Sequence, residues 1–200
     1  VSNGSSFLSF CQKGTVFKFA FSRIAFSLNS RWTLDDTSSV FFTGKSVKDA
    51  LKIGSPGAAS SAITVAAYTT KTKYTDIDNQ VREMGLELNT ISEFSSEGPL
   101  RNNGQKPDVA APGAMIISTL SADASFDRSS MINSKFVVQA GTSMATPFVS
   151  GLVALLLQRD PELDPAAVKD YLRKNSAIPG KDAGTFDDKW GYGVINALNL

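Results

Sequence analysis

The residues best placed to do chemistry are Gly141-Thr142-Ser143-Met144-Ala145-Thr146-Pro147. An extended, apolar-leaning segment, Lys135 to Ala140, leads into them, and Phe148 to Gln158, apolar almost all round, follows. The pattern predicts a strand, a tight turn and a buried helix, with Ser143 at or just before the helix start. There the first backbone N–H groups lack helical partners and the positive end of the helix dipole lies close by. These are conditions that suit a nucleophile and the oxyanion it generates. The same position also suits a serine that merely caps the helix, and the local pattern alone favours the cap.

The composition limits what such a serine can do. The 200 residues include no histidine, so a mechanism with a histidine base cannot be completed by these residues alone. Twenty basic residues against 19 acidic ones leave a net charge of +1, which gives no footprint for nucleic acid or an anionic membrane. A hydrophobic share of 42% is that of a globular protein, and no apolar run is long enough for a membrane span. Cys11, the only cysteine, cannot form an intrachain disulfide. The sequence starts at Val1 and shows no signal peptide, and it is read here as a piece of a longer protein.

Two regions differ in character. In residues 1–53, Phe17, Phe19 and Phe21 alternate with Lys18, Ala20 and Ser22, the period of a half-buried strand. Ile24, Phe26 and Leu28 continue on the opposite parity, and Val40-Phe41-Phe42 suggests a further short strand. Lys45 to Lys52 reads as a short helix. Residues 54–200 open with the break Gly54-Ser55-Pro56-Gly57, followed by Ala62 to Tyr68, which reads as a buried parallel strand. Residues 69–90 read as a polar surface excursion.

Phe94 to Pro99 and Lys106 to Gly113 are dense in glycine, proline and small residues, so backbone shape is what they specify. Met115 to Leu120 is a strand candidate, and Ser121 to Asn133 a loop in which Asp123 and Asp127 are turn residues or ligands. Asp160-Pro161 ends the first helix; Asp164-Pro165 opens a second, with Val168, Tyr171 and Leu172 on its apolar face and Lys169, Arg173 and Lys174 towards water. Trp190 to Gly193 reads as a tight aromatic turn, and Val194 to Leu200 as a closing helical turn.

Taken in order, these motifs resemble those of the subtilisin-like serine proteases. Gly141 to Pro147 looks like that family's nucleophile motif, and Lys106 to Gly113 like its preceding proline- and glycine-rich segment. Phe94 to Pro99, Ser55-Pro56-Gly57 with Ile63 to Ala67, and Trp190 to Asn196 also fit, so the resemblance covers residues 31–200. Phe148 stands where many subtilases have a non-catalytic histidine, and Ala66 where a glycine is frequent. The family's aspartate and histidine motifs, its glycine-rich substrate strand and its oxyanion asparagine have no counterpart here. In subtilisin the triad runs Asp, His, Ser, whereas in α/β-hydrolases it runs Ser, acid, His. The missing partners therefore belong upstream, which favours the subtilase.

The resemblance implies an α/β fold: the C-terminal half of a three-layer subtilisin-like domain with a mostly parallel sheet, over residues 54–200. Residues 1–53 are then the antiparallel tail of an inserted β-rich domain. The implied activity is a serine endopeptidase with Ser143 as nucleophile and Asp and His supplied from upstream, acting on polypeptides outside the cytoplasm. Gly141 would allow close backbone approach, and Pro147 and Gly151 would shape helix packing. No cofactor is specified by this chain, and structural calcium is a family expectation. Asp108, between Pro107 and Val109, is a candidate acid whose setting favours a structural role. A non-catalytic scaffold and a sedolisin-like peptidase with a glutamate base are the alternatives.

Overall fold

The computed structural model describes the backbone of residues 7–12, 15–20, 32–33 and 39–40 and the structure of residues 50–198. The strands are β1 (Phe7–Gln12), β2 (Thr15–Ala20), β3 (Trp32–Thr33), β4 (Ser39–Val40), β5 (Ile63–Thr69), β6 (Lys73–Thr75), β7 (Val81–Glu83) and β8 (Val109–Ala114). They continue with β9 (Ile116–Thr119), β10 (Met131–Asn133), β11 (Phe136–Gln139), β12 (Ser176–Ala177) and β13 (Val194–Ile195). Two α-helices, α1 (Thr142–Arg159) and α2 (Pro165–Lys174), lie between β11 and β12.

A six-stranded sheet in the order β1-β2-β5-β8-β13-β12 carries the fold. Its inner neighbours β2, β5, β8 and β13 pair in parallel, and β1 and β12 close the two edges antiparallel. A mixed α/β architecture with a mostly parallel sheet is thus what the sequence forms. β5 has the apolar, β-branched run that a strand covered on both faces requires, and all its residues but Tyr68 are buried. Its register with β8, Val65↔Val109, Ala66↔Ala110 and Ala67↔Ala111, sets rows of small side chains beside each other.

Helix α1 packs on β5 and β8, burying Ala145, Val149, Leu152, Val153, Leu156 and Leu157. Each fully buried valine or leucine contributes about 1.5–3 kcal/mol relative to exposure. The small alanines of β5 and β8 let the helix lie close. Only one side of α1 is covered, however: Phe148 and Leu155 are exposed among the described residues, although the sequence pattern predicts burial all round. The sheet contacts only the stripe that faces it.

Several local expectations are met. Met115 to Leu120 contains β9, Lys135 to Ala140 contains β11, and α1 stops at Asp160. The second helix opens as Asp164-Pro165 predicts: the Asp164 carboxylate accepts the Ala167 N–H at 2.7 Å, and Pro165 is the first helical residue. Trp190 to Gly193 is a turn in which Gly191 and Gly193 have positive φ. Of the N-terminal expectations, the Phe17 alternation falls in β2, and Val40 ends β4; residues 21–31 and 41–49 lie outside the described residues. β2 runs beside β5 through Phe19↔Ile63 and Ala20↔Thr64.

Other expectations are corrected. Of the helix expected over Lys45 to Lys52, residues 45–49 lie outside the described residues, and residues 50–52 are not helical. Val194 to Leu200 does not open a helical turn: Val194 and Ile195 form β13, because β-branched side chains suit the slot between β8 and β12. Lys106 to Gly113 contains a central strand, β8, whose proline and glycine hide its strand character; the register with β5 shifts where they occur. Residues 69–90 include the hairpin β6–β7. Its turn is held by the buried Asp76 carboxylate, which accepts the N–H groups of Asp78 (2.9 Å) and Gln80 (2.8 Å) and pairs with Arg82 (2.7 Å).

Candidate functional site

Ser143 is the second residue of α1, half-buried, at the point where β11 has delivered the chain to the end of β8. The helix is capped by Gly141, not by Ser143, and no side chain makes a capping bond. The capping role favoured by the local pattern is therefore taken by a backbone, and the Ser143 hydroxyl is left to do something else. Among the described residues neither the Ser143 N–H nor its Oγ has a hydrogen-bond partner. Its carbonyl also loses the usual helical donor, since the residue four positions on is Pro147.

Two glycines fix this geometry for different reasons. Gly141 has φ 153° and ψ 160°, a conformation that residues with a Cβ rarely adopt, and a Cβ there would meet nothing closer than 3.6 Å. Its requirement is conformational, whereas close approach was the expectation. Close approach belongs to Gly113: a Cβ there would lie 2.6 Å from Ala67 Cβ and 3.0 Å from the Gly141 carbonyl oxygen. The Gly113 carbonyl accepts the Gly141 N–H at 2.7 Å, and the Gly141 carbonyl in turn accepts from Met144 (2.9 Å) and Ala145 (3.4 Å). One chain of backbone bonds thus runs from β8 into the first turn of α1.

Within the helix, Thr146 Oγ1 donates to the Thr142 carbonyl and Ser150 Oγ to the Thr146 carbonyl, so these buried hydroxyls are satisfied internally. Pro147 and Gly151 are exposed, and nothing lies within 4 Å of a Cβ built on Gly151. The packing role expected of Gly151 has no contact to support it among the described residues.

Asp108 does not join Ser143. Its side chain is 2% exposed, and Oδ2 accepts from Lys106 Nζ at 2.5 Å and from the Thr64 N–H at 2.9 Å. Oδ1 faces Arg173 (3.2 Å) and Lys169 (3.6 Å). A carboxylate surrounded by three cations holds structure together; the structural reading of Asp108 prevails. Two of those cations are a correction, because Lys169 and Arg173 read in sequence as solvent-facing. Only Lys174 meets that expectation, with its side chain 72% exposed and paired with Asp170. The sequence offered one signal: Lys169 and Arg173 stand four apart, on one face of α2.

The cluster is poorly balanced. Burial pushes the Lys169 ammonium down to about 8, with Lys106 and Arg173 adding to the effect and Asp108 opposing it. Lys169 Nζ donates to the Ser60 carbonyl at 2.5 Å, and the Arg173 guanidinium lies 5.2 Å over the Tyr192 ring.

The remaining polar segments are shape-specifying as expected. The Ala67 N–H donates to Ser95 Oγ at 3.0 Å, and a Cβ on Gly98 would come within 2.0 Å of the Lys106 carbonyl oxygen. Asp123 and Asp127 are exposed, and the described residues contain no group of three or more His, Cys, Asp or Glu able to hold a metal. No calcium site is assigned to them. No described helix is long and apolar enough to cross a membrane. A cleft of about 440 Å³ opens between Leu51–Ala58 and Leu100–Asn102, and Ser143 does not line it.

The structure thus sets a serine in the first turn of a helix packed on a mostly parallel sheet, led in by a glycine cap. The profile of the subtilase family matches residues 23–193, and the chain belongs to that family. The serine protease AprX of Bacillus subtilis is 37% identical over 159 residues, which cover 78% of this chain and 33% of AprX. The subtilisin-like protease SBT3.16 of Arabidopsis thaliana is 38% identical over 148 residues, 66% of this chain and 18% of that protein. Among solved structures, the CspB protease of Clostridium perfringens superposes with a TM-score of 0.52 at 29% identity, over 73% of this chain and 27% of that one. The chain thus spans about a third or less of these relatives.

Proposed function

We propose that this chain is the C-terminal part of the catalytic domain of a secreted-type serine endopeptidase, with Ser143 as its nucleophile. The observation that carries the reading is the setting of Ser143: half-buried in the first turn of α1, with hydroxyl and N–H both without partners among the described residues. Ser143 Oγ attacks the scissile carbonyl and forms an acyl-enzyme, which water then hydrolyses. The Ser143 N–H supplies one oxyanion donor, backed by the positive end of the α1 dipole. The base that takes the Ser143 proton is a histidine from the longer protein, oriented by an aspartate there, since no histidine is present in these 200 residues.

A fluorophosphonate probe tests this. The full-length protein should be labelled, and Ser143→Ala should abolish labelling; labelling that survives the substitution refutes the assignment. The 200-residue chain by itself should label slowly or not at all, because a serine without its base is a poor nucleophile.

The division at residue 53 is part of the same proposal, and the observation that speaks against it is that β1 and β2 lie in the six-stranded sheet, with β2 parallel to β5. Limited proteolysis yielding a stable core that starts near residue 54 supports it, and protection of the whole chain opposes it.

A further inference from the structure

The junction between α2 and the sheet contains a surplus of positive charge that the proposed catalysis does not use. Three cations from two elements, Lys106 on the segment entering β8 and Lys169 and Arg173 on α2, converge on the single carboxylate of Asp108. Lys106 is committed: its side chain is 4% exposed, and it donates to both Asp108 Oδ2 and the Ala62 carbonyl at 2.6 Å. Arg173 remains charged at any pH a protein survives. Its Nε is buried with no hydrogen-bond partner. Lys169, the farthest of the three from Asp108, is the one member that can shed its charge at modest cost.

We propose that Lys169 is a proton-controlled clasp: protonated, it sets a third, largely desolvated cation at the α2–β8 junction; neutral, it leaves Arg173 and Lys106 to hold Asp108 and tightens that junction. The groups facing it are Asp108 and Lys106 from the β8 side, the Ser60 carbonyl from the segment before β5, and Arg173 from its own helix. The Ser60 carbonyl accepts a hydrogen bond from either form of the amine, and Asp108 Oδ1 stands 3.6 Å away as an ion-pair partner only, so deprotonation removes a buried charge without orphaning a hydrogen-bond acceptor.

The sign follows from linkage. Burial holds the Lys169 ammonium down at about 8 in the folded protein, against the ordinary lysine value of 10.5 when unfolded. Between those values the unfolded chain binds more protons, so stability rises with pH. Below about 8 both states are protonated, and the folded state carries the full cost of the buried cation.

The test follows the urea unfolding of the Ser143→Ala protein, which does not digest itself, at pH 7 and pH 10. It compares Lys169 with Lys169→Met and Lys169→Arg, so that other alkaline titrations cancel. The parent should gain on both variants between those pH values, by about one hundredfold in its folding equilibrium constant. Equal pH dependence in all three proteins overturns the proposal. If Lys169→Met fails to fold, Lys169→Arg provides the comparison. An independent readout is the side-chain NMR titration of Lys169, assigned by its loss in Lys169→Arg. A midpoint near 8 supports the clasp, and one above 10 overturns it.

Discussion

The Gly113 carbonyl accepts the Gly141 N–H at 2.7 Å, which ties the end of a central strand to the cap of the helix that bears Ser143. This bond joins segments with no local signal in common, and it explains why both positions are glycine. Gly141 needs a backbone conformation and Gly113 needs space.

Substitution of Gly113 by alanine is expected to destabilise the protein by about 1–3 kcal/mol, because the new Cβ overlaps Ala67 and crowds the Gly141 carbonyl. Urea unfolding measures the loss. Adding Ala67→Gly removes the nearest overlap and should restore part of it; no recovery in the double variant means that Ala67 is not the obstacle.

Asp108→Asn keeps the shape of the side chain and removes the one negative charge among three cations. Breaking a buried pair from one side costs about 3–5 kcal/mol. A loss below about 1 kcal/mol in chemical denaturation would show that the cluster does not hold α2 to the sheet.

The cap of α2 is a smaller and more local contribution. Asp164→Ala deletes the acceptor for the Ala167 N–H and should cost about 1 kcal/mol, with Asp164→Asn close to neutral. Thermal unfolding of the two variants side by side measures this; equal losses would mean that charge, not capping, is at work.

Acid should release the β6–β7 hairpin. Burial favours the neutral Asp76 carboxyl, but the Gln80 N–H, the Arg82 guanidinium and the Asp78 N–H outweigh it and hold Asp76 below its ordinary 3.8. A depressed carboxylate contributes stability that is complete above 3.8 and lost as pH falls through its folded value. Amide exchange at Asp78 and Gln80 should therefore accelerate below pH 3.8, and Asp76→Asn should show fast exchange already at pH 7. Protection in Asp76→Asn equal to the parent's would remove Asp76 from this role.

Elements with a strong local period were legible from the sequence. α1 and α2 announce themselves through apolar spacing and through Asp164-Pro165, and β5 through its β-branched run. β8 was hidden by Pro112 and Gly113, and β13 by its two-residue length. The site was legible as a motif, Gly141 to Pro147, but its capping arrangement was not: which of Gly141 and Ser143 caps the helix depends on one turn of backbone, and spacing does not report that.

The sequence by itself determined that a serine stands at the start of an apolar helix, behind a strand and a glycine, because propensity and period act over a few residues. Only the tertiary structure decided that Lys169 and Arg173 turn inward. Arg173 meets Asp108 across 65 residues of chain, and Lys106 meets Ala62 across 44. A charged side chain four positions from another looks the same in sequence whether its partner is water or a buried carboxylate; packing of α2 on the sheet chose between them.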